Sequence, residues 1–259
     1  MQKIKAKKHF GQNFLKDKSV LKKITQAISK DTDFIVEIGP GLGDLTQELL
    51  EICAVKAYEI DKELIPVLKH KFKAQIQNQI LSLENKDASE LQSFADKPYV
   101  LVANLPYYVA SNLILKALED DFCKAFLVMV QKEVALKFVA KSSQSDFCAL
   151  SVMSALFGEC ELLFDVEPEC FEPAPKVISS VLSFKRTHLR AEFRDFEGFK
   201  AFLRLCFSAP RKQILNVLKA KYPHIEKEFN ALGIAQNARA HQISVKSYLE
   251  IFKNLKDTE

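Results

Sequence analysis

Between residues 34 and 140 the chain switches repeatedly from short β-branched runs to runs with helical spacing, and this alternation limits the possible folds more than any other feature. "FIVEI" (34–38) leads into a glycine turn and "DLTQELLEI", and "VKAYEI" (55–60) leads into "DKELIPVLKHKF" (61–72), with Asp61 read as its cap. "QILSLE" (79–84), "YVLVA" (99–103) and "KAFLVMVQ" (124–131) are the next strand candidates, with helices expected at about 110–119 and 132–140. Five alternations predict a parallel, doubly wound α/β sheet. Upstream, Val20, Leu21, Ile24, Ala27 and Ile28 follow Ser19 at helical spacing, and Ser19 is read as the cap. Downstream, "CELLFDV" (160–166) and "VISSVLSFKR" (177–186) have little helix between them, which predicts an antiparallel hairpin at one sheet edge. From about Asp195 the pattern is helical only. That shift divides the chain into an α/β domain, 1–190, and a smaller all-helical domain, 191–259.

A chain of 259 residues can bury the cores this needs. Residues 1–30 contain no apolar segment of signal-peptide length, and no run approaches the ~18 apolar residues of a membrane span, so a cytoplasmic protein with no membrane partner is expected. Six cysteines are scattered without a CxxC pair, and five histidines are equally dispersed. Neither disulfides nor a metal site are indicated.

Charge is distributed unevenly. Residues 1–30 carry nine Lys against one Asp, and residues 181–259 carry fifteen Lys/Arg against eight acids. The whole chain carries +4, so residues 31–180 carry −11. Basic ends around an acidic centre suggest that the ends grip a polyanion while the centre handles something else, such as a cation. Lys7, Lys8, Arg204, Arg211 and Lys212 are the candidate contacts to that polyanion, which the resemblance described below makes an RNA.

"EIGPGLGD" sits where a strand feeds a helix, the place where such sheets bind nucleotide-like ligands. Gly39, Gly41 and Gly43 give G-x-G-x-G, and Asp44 stands where a dinucleotide fingerprint would have its third glycine. An acid there suits an uncharged or cationic ligand better than a pyrophosphate. Glu59 ends the next strand at the spacing expected for a carboxylate on ribose hydroxyls, and Asp87 lies past the third strand, placed to accept from an exocyclic amine. Ribose and adenine recognition in acidic surroundings describes S-adenosylmethionine, whose sulfonium is positive.

"NLPYY" (104–108) ends the fourth strand at the same edge. The lone pair of a base's amino group is delocalised into its ring. Two acceptors, the Asn104 side-chain oxygen and a backbone carbonyl near Pro106, would pyramidalise that nitrogen and free the pair. Pro106 restricts Leu105 and fixes the carbonyl's direction, and Tyr107 offers a ring on which the base stacks, worth ~1–3 kcal/mol.

"NLPYY" resembles the N-x-P-Y motif of amino-group methyltransferases. Taken with "KKHFGQNFL" (7–15), "VEIGPGLGDLT", "YEID", "QKEVALKFVA" and "FEPAPKVISSV" (171–181), the chain resembles the adenine-N6 dimethyltransferases of ribosomal RNA, and among them the bacterial small-subunit branch. "SAPRKQILNVL" (208–218) and "ALGI…RAHQISVKSYLEIF" (231–252) extend the likeness through the helical end. The resemblance implies a Rossmann-like class I methyltransferase sheet and S-adenosylmethionine-dependent N6,N6-dimethylation. Its substrate would be two adjacent adenosines in the 3′-terminal hairpin loop of 16S rRNA in the small subunit, modified by a monomer. It also implies a cofactor site of Asn13, Leu15, Gly39, Gly41, Glu59, Asp87 and Asn104, and a base held between Tyr107 and Phe171. Phe147–Cys148 stands where the family usually has Tyr-Gly, and "PRK" (210–212) where "RRK" is common. The competing readings are a large-subunit (23S) rRNA adenine methyltransferase and a non-catalytic ribosome-assembly factor.

Overall fold

The computed structural model describes residues 7, 11–189, 193 and 195–257. A two-residue strand, β1 (Phe14–Leu15), precedes helix α1 (Lys18–Gln26). Asp17 caps α1 in place of Ser19: its carboxylate accepts the N–H groups of Ser19 and Val20 at 2.8 and 3.0 Å. A charged acceptor suits the positive end of a helix better than a hydroxyl does.

The strands expected from the sequence follow as β2 (Phe34–Ile38), β3 (Ala54–Glu59), β4 (Leu81–Asn85), β5 (Tyr99–Asn104) and β6 (Cys123–Gln131). Between them lie α2 (Asp44–Leu49), α3 (Ile65–Lys71), α4 (Lys73–Gln77) and α5 (Ala110–Glu119). Helix α3 begins four residues later than the sequence pattern suggests, with Pro66 in its first turn. Proline lacks an N–H, and the first turn needs none. Residues 61–64 instead form a turn closed by the Leu64 N–H on the Asp61 carbonyl at 3.0 Å.

After α6 (Lys132–Val139) and α7 (Ala149–Phe157) come β7 (Gly158–Val166), β8 (Phe171–Glu172) and β9 (Ser179–Arg186). The seven-stranded sheet has the order β4-β3-β2-β5-β6-β9-β7. Strands β2 to β6 pair in parallel, and β9 runs antiparallel to β6. At the edge where the sequence predicts a hairpin, β9 and β7 are adjacent and β7 is outermost. Ile35, Val36, Glu37 and Ile38 are buried in succession, as in a parallel strand covered on both faces. Chain order reverses at β2, with β3 on one side and β5 on the other. The glycine turn after β2 and "NLPYY" after β5 therefore emerge side by side.

The chain divides into two compact units, Met1–Ala135 with Glu159–Arg186, and Leu136–Gly158 with Thr187–Glu259. The second unit thus takes residues 136–158, which the composition shift alone places with the first domain. Its helices are α7, α8 (Phe196–Cys206), α9 (Ile214–Leu218), α10 (Ile225–Ala231) and α11 (Val245–Asp257). The Asp195 carboxylate caps α8 by accepting the Gly198 N–H at 2.9 Å. Along α8, Phe196, Phe199, Phe202, Leu203 and Cys206 recur at helical spacing and are all buried. Phe199 meets Phe252 edge-on at 5.4 Å, and Phe202 meets Tyr248 at 6.3 Å. No described helix is long and apolar enough to cross a membrane.

Candidate functional site

At the carboxyl ends of β2, β3 and β5 the first unit opens into a cleft with about 990 Å³ of empty space, part of it open to solvent. Asn13, Leu15, Gly39, Gly41, Glu59, Asp87, Asn104, Pro106 and Tyr107 all line it. These are the residues expected from the sequence, except Phe171.

The glycine turn is built for close approach. Gly39, Gly41 and Gly43 all have positive φ, at 71°, 60° and 75°. A Cβ at Gly41 would meet Phe14 Cδ1 at 2.9 Å, whereas a Cβ at Gly39 would meet no atom within 4 Å. Gly39 therefore faces open space that a ligand can fill.

Glu59 is 3 % exposed and held from two sides. The Gly41 N–H donates to its Oε2 at 3.0 Å and the Asp61 N–H to its Oε1 at 2.8 Å. Burial raises its pKa, and the two N–H bonds oppose that shift. A carboxylate offers about four acceptor positions, so two remain for a ribose diol. The Asp87 Oδ1 accepts the Ser89 N–H at 2.8 Å, and its other oxygen takes no hydrogen bond among the described residues. Asp44, in the first turn of α2, pairs with Lys16 and, at 3.7 Å, with Lys71. The open wall at Gly39, the half-used Glu59 and the acidic lining together fit S-adenosylmethionine.

On the opposite wall the Asn104 amide donates from Nδ2 to the Asn13 carbonyl at 2.8 Å. That bond decides which end of the amide is oxygen and leaves Oδ1 without a donor among the described residues. The Pro106 carbonyl is taken by the Val109 N–H at 3.2 Å in the turn before α5. The Leu105 carbonyl, one residue earlier, is therefore the backbone acceptor still available. Tyr107 is half-buried, with its hydroxyl 2.8 Å from Ser179 Oγ, and Tyr108 is 60 % exposed at the rim.

Two expectations differ from what the structure shows. Phe171 is 5 % exposed, lies in the apolar core and does not line the cleft. Its strand pairs with β1, Leu15 opposite Phe171, so its ring is used in packing. Lys7 does not reach out as a polybasic arm: its ammonium binds Asp61 at 2.7 Å and Glu63 at 3.0 Å. Lys8 lies outside the described residues. Arg204, Arg211 and Lys212 are all exposed on the second unit. Among the described residues no group of His, Cys, Asp and Glu could hold a metal ion.

Two cleft residues were not anticipated. Gln12 anchors the segment in front of Asn13, and Glu37 is 1 % exposed with Thr46 Oγ1 donating to its Oε2 at 2.7 Å. Gln12 lies within "KKHFGQNFL" and Glu37 within "VEIGPGLGDLT", but neither motif by itself says what its side chain holds. Burial, reinforced by Glu59, pushes the Glu37 carboxyl from 4.5 up to about 8, against the Thr46 bond. The folded state therefore holds a proton that the unfolded state loses between about pH 4.5 and 8. Stability should fall as pH rises through that window, by at most about 1.4 kcal/mol per pH unit. Glu37→Gln should flatten this dependence in denaturation curves at pH 5 and 8. Equal losses in both proteins would show that Glu37 is not the group responsible.

The family model for ribosomal RNA adenine dimethylase matches residues 3–257. The chain is 54 % identical to the ribosomal RNA small subunit methyltransferase A of Campylobacter jejuni, over 98 % of this chain and 96 % of the relative. It is 42 % identical to the protein of the same name from Aliarcobacter butzleri, over 99 % and 98 %. The fold matches a dimethyladenosine transferase from Plasmodium falciparum with TM-score 0.80 at 24 % identity, covering 94 % of this chain and 98 % of that one. It also matches the 23S rRNA methyltransferase ErmE with TM-score 0.73 at 26 % identity, covering 94 % and 100 %. With profile, relatives and fold in agreement, the chain belongs to the ribosomal RNA adenine dimethylase family.

Proposed function

We propose that this protein uses S-adenosylmethionine to dimethylate N6 of two adjacent adenosines in the 3′-terminal hairpin loop of 16S rRNA, within the small ribosomal subunit. One observation carries the proposal: the Asn104 amide, turned by its bond to the Asn13 carbonyl so that Oδ1 is left as an acceptor at the cleft. Relatives named for small-subunit methylation favour that subunit over the large one. We read it as a monomer that acts in the cytoplasm, where its ribosomal substrate would lie.

When bound, S-adenosylmethionine supplies an electrophilic methyl group on a positively charged sulfonium. Glu59 accepts from the ribose hydroxyls, Asp87 from the adenine amine, and Gly39 and Gly41 give the chain's closest approach. Asn13 and Leu15 close the near wall. The Asn104 Oδ1 and the Leu105 carbonyl accept the two N–H bonds of the target amine and pull its nitrogen towards a tetrahedral shape. Pro106 holds that carbonyl in place by restricting Leu105. Tyr107 stacks on the flipped base, with Ser179 fixing the ring. The methylated amine is acidic enough to release its proton to water, so no general base is required. Phe171 supports β1 from behind instead of facing the base.

Arg204, Arg211 and Lys212 are assigned to RNA phosphates. Removing two of these charges, in Arg211→Gln with Lys212→Gln, should weaken subunit binding at low salt. It should also reduce the slope of log K against log salt by about 1.5 to 2. An unchanged slope would take these residues out of the interface. The function itself is tested by incubating labelled S-adenosylmethionine with unmodified small subunits, large subunits and DNA. Label confined to small-subunit RNA is expected, and label on the large subunit would move the substrate there.

A further inference from the structure

The turn after β3 holds a second carboxylate whose role the chemistry above does not use. Asp61 is 2 % exposed. It accepts the Glu63 N–H at 3.0 Å, which is ordinary for a turn. Two further donors come from far along the chain, Lys7 Nζ at 2.7 Å and Gln12 Nε2 at 3.0 Å. Gln12 in turn accepts the Lys7 N–H on Oε1 at 2.7 Å. A turn does not need an ammonium and an amide from about 50 residues away. Burial alone would raise the Asp61 pKa; Lys7 and Gln12 outweigh it and hold the carboxyl below its usual value.

The connections run on in both directions. The Asp61 backbone N–H donates to Glu59 Oε1 at 2.8 Å. Gln12 is joined covalently to Asn13, whose carbonyl takes the Asn104 amide at 2.8 Å. The chain Glu59–Asp61–Gln12–Asn13–Asn104 therefore links the carboxylate assigned to ribose with the amide assigned to the target base. All five residues belong to the first unit, and Gly11 to Leu15 lie along the cleft wall between them.

We infer that Asp61 is a positioning residue: it clamps residues 11–15 through Gln12 and so sets the Asn104 amide in its working orientation. The inference rests on the reading of Asn104 given above. Asp61 touches neither base nor methyl donor. Substituting its side chain leaves its backbone N–H on Glu59, so ribose binding is preserved while the amide's anchor loosens. A loosened reacting group of this kind costs about tenfold to a hundredfold in rate.

The test uses the full chain with Asp61→Asn, Gln12→Ala and the double variant. The Asp61→Asn change keeps the side-chain volume but removes the charge that holds Lys7 and one acceptor for Gln12. Because Asp61 is buried, Gln12→Ala provides a variant that leaves the Lys7–Asp61–Glu63 cluster intact. In methyl transfer to unmodified small subunits, kcat should fall at least about tenfold in Asp61→Asn, while the Kd for S-adenosylmethionine, read by calorimetry, should rise by a smaller factor, because Glu59, Asp87 and Gly39 keep their places and only the wall formed by Asn13 and Leu15 loosens. The double variant should be no worse than the poorer single one, since both break one chain of contacts. Amide hydrogen exchange at residues 11–15 should rise in every variant. Unchanged exchange, or additive losses in kcat, would overturn the clamp. If the unsubstituted protein transfers no methyl group, the Asn104 reading fails, and exchange at residues 11–15 still decides whether Asp61 holds this segment.

Discussion

Asn104→Ala is expected to lower kcat for methyl transfer to small-subunit RNA by about 10² to 10³, the usual cost of removing one preorganised partner at a reacting centre. Cofactor affinity should fall far less. Glu59, Asp87 and the open wall at Gly39 are untouched, and the loss there is one hydrogen bond to the Asn13 carbonyl, worth about 1 kcal/mol. Asn104→Asp should be no better. It keeps an oxygen for the base, but an ionised carboxylate cannot donate to Asn13, and the two oxygens would face each other at a distance now bridged by an N–H. Single-turnover rates with saturating cofactor, together with calorimetric Kd values, separate the two effects. A variant that binds cofactor weakly yet turns over normally would show that Asn104 serves the cofactor and not the base.

Gly43→Ala is expected to cost about 2 to 6 kcal/mol of stability, the sum of two effects at one position. The backbone at Gly43 has φ +75°, and an added Cβ would lie 2.5 Å from Phe72 Cε2 and 3.0 Å from Leu68 Cδ2. Phe72 is fully buried and Leu68 is 1 % exposed, so neither can move aside freely. Backbone strain contributes about 1–3 kcal/mol and overpacking a similar amount. Against a typical total of about 5–15 kcal/mol, much of the folded margin is lost. Gly39→Ala makes the internal comparison: it bears the same strain but meets no atom, so its additional loss should appear in cofactor affinity. Chemical denaturation midpoints for the two variants test this, and equal midpoints would show that Phe72 yields.

The sheet was legible because its signals are local. Most of the parallel strands are short apolar runs rich in Val and Ile, and each candidate lies within about two residues of the strand found. The glycine turn, Glu59, Asp87 and Asn104 were legible for a related reason. They sit at strand ends, and a strand end fixes position without knowledge of what packs against it. What the pattern did not reveal depends on distant partners. Asp61 looks like a helix cap until Pro66 moves the helix start and Lys7 and Gln12 occupy the carboxylate. Lys7 looks like a phosphate contact until its charge is taken by Asp61 and Glu63. Phe171, in a proline-rich loop, looks available for a base, but pairing of β8 with β1 buries it. Residues 136–158 look like a continuation of the α/β pattern, and only their packing groups them with the later helices.

The most direct test of the central claim is mass analysis of nucleosides from small-subunit RNA, unmodified at the start and incubated with the protein and S-adenosylmethionine. N6,N6-dimethyladenosine is expected at two adjacent positions of the 3′-terminal hairpin loop, and none when Asn104→Ala replaces the unsubstituted protein. Methyl groups on ring nitrogens or ribose oxygens, or dimethyladenosine formed equally well by Asn104→Ala, would contradict it.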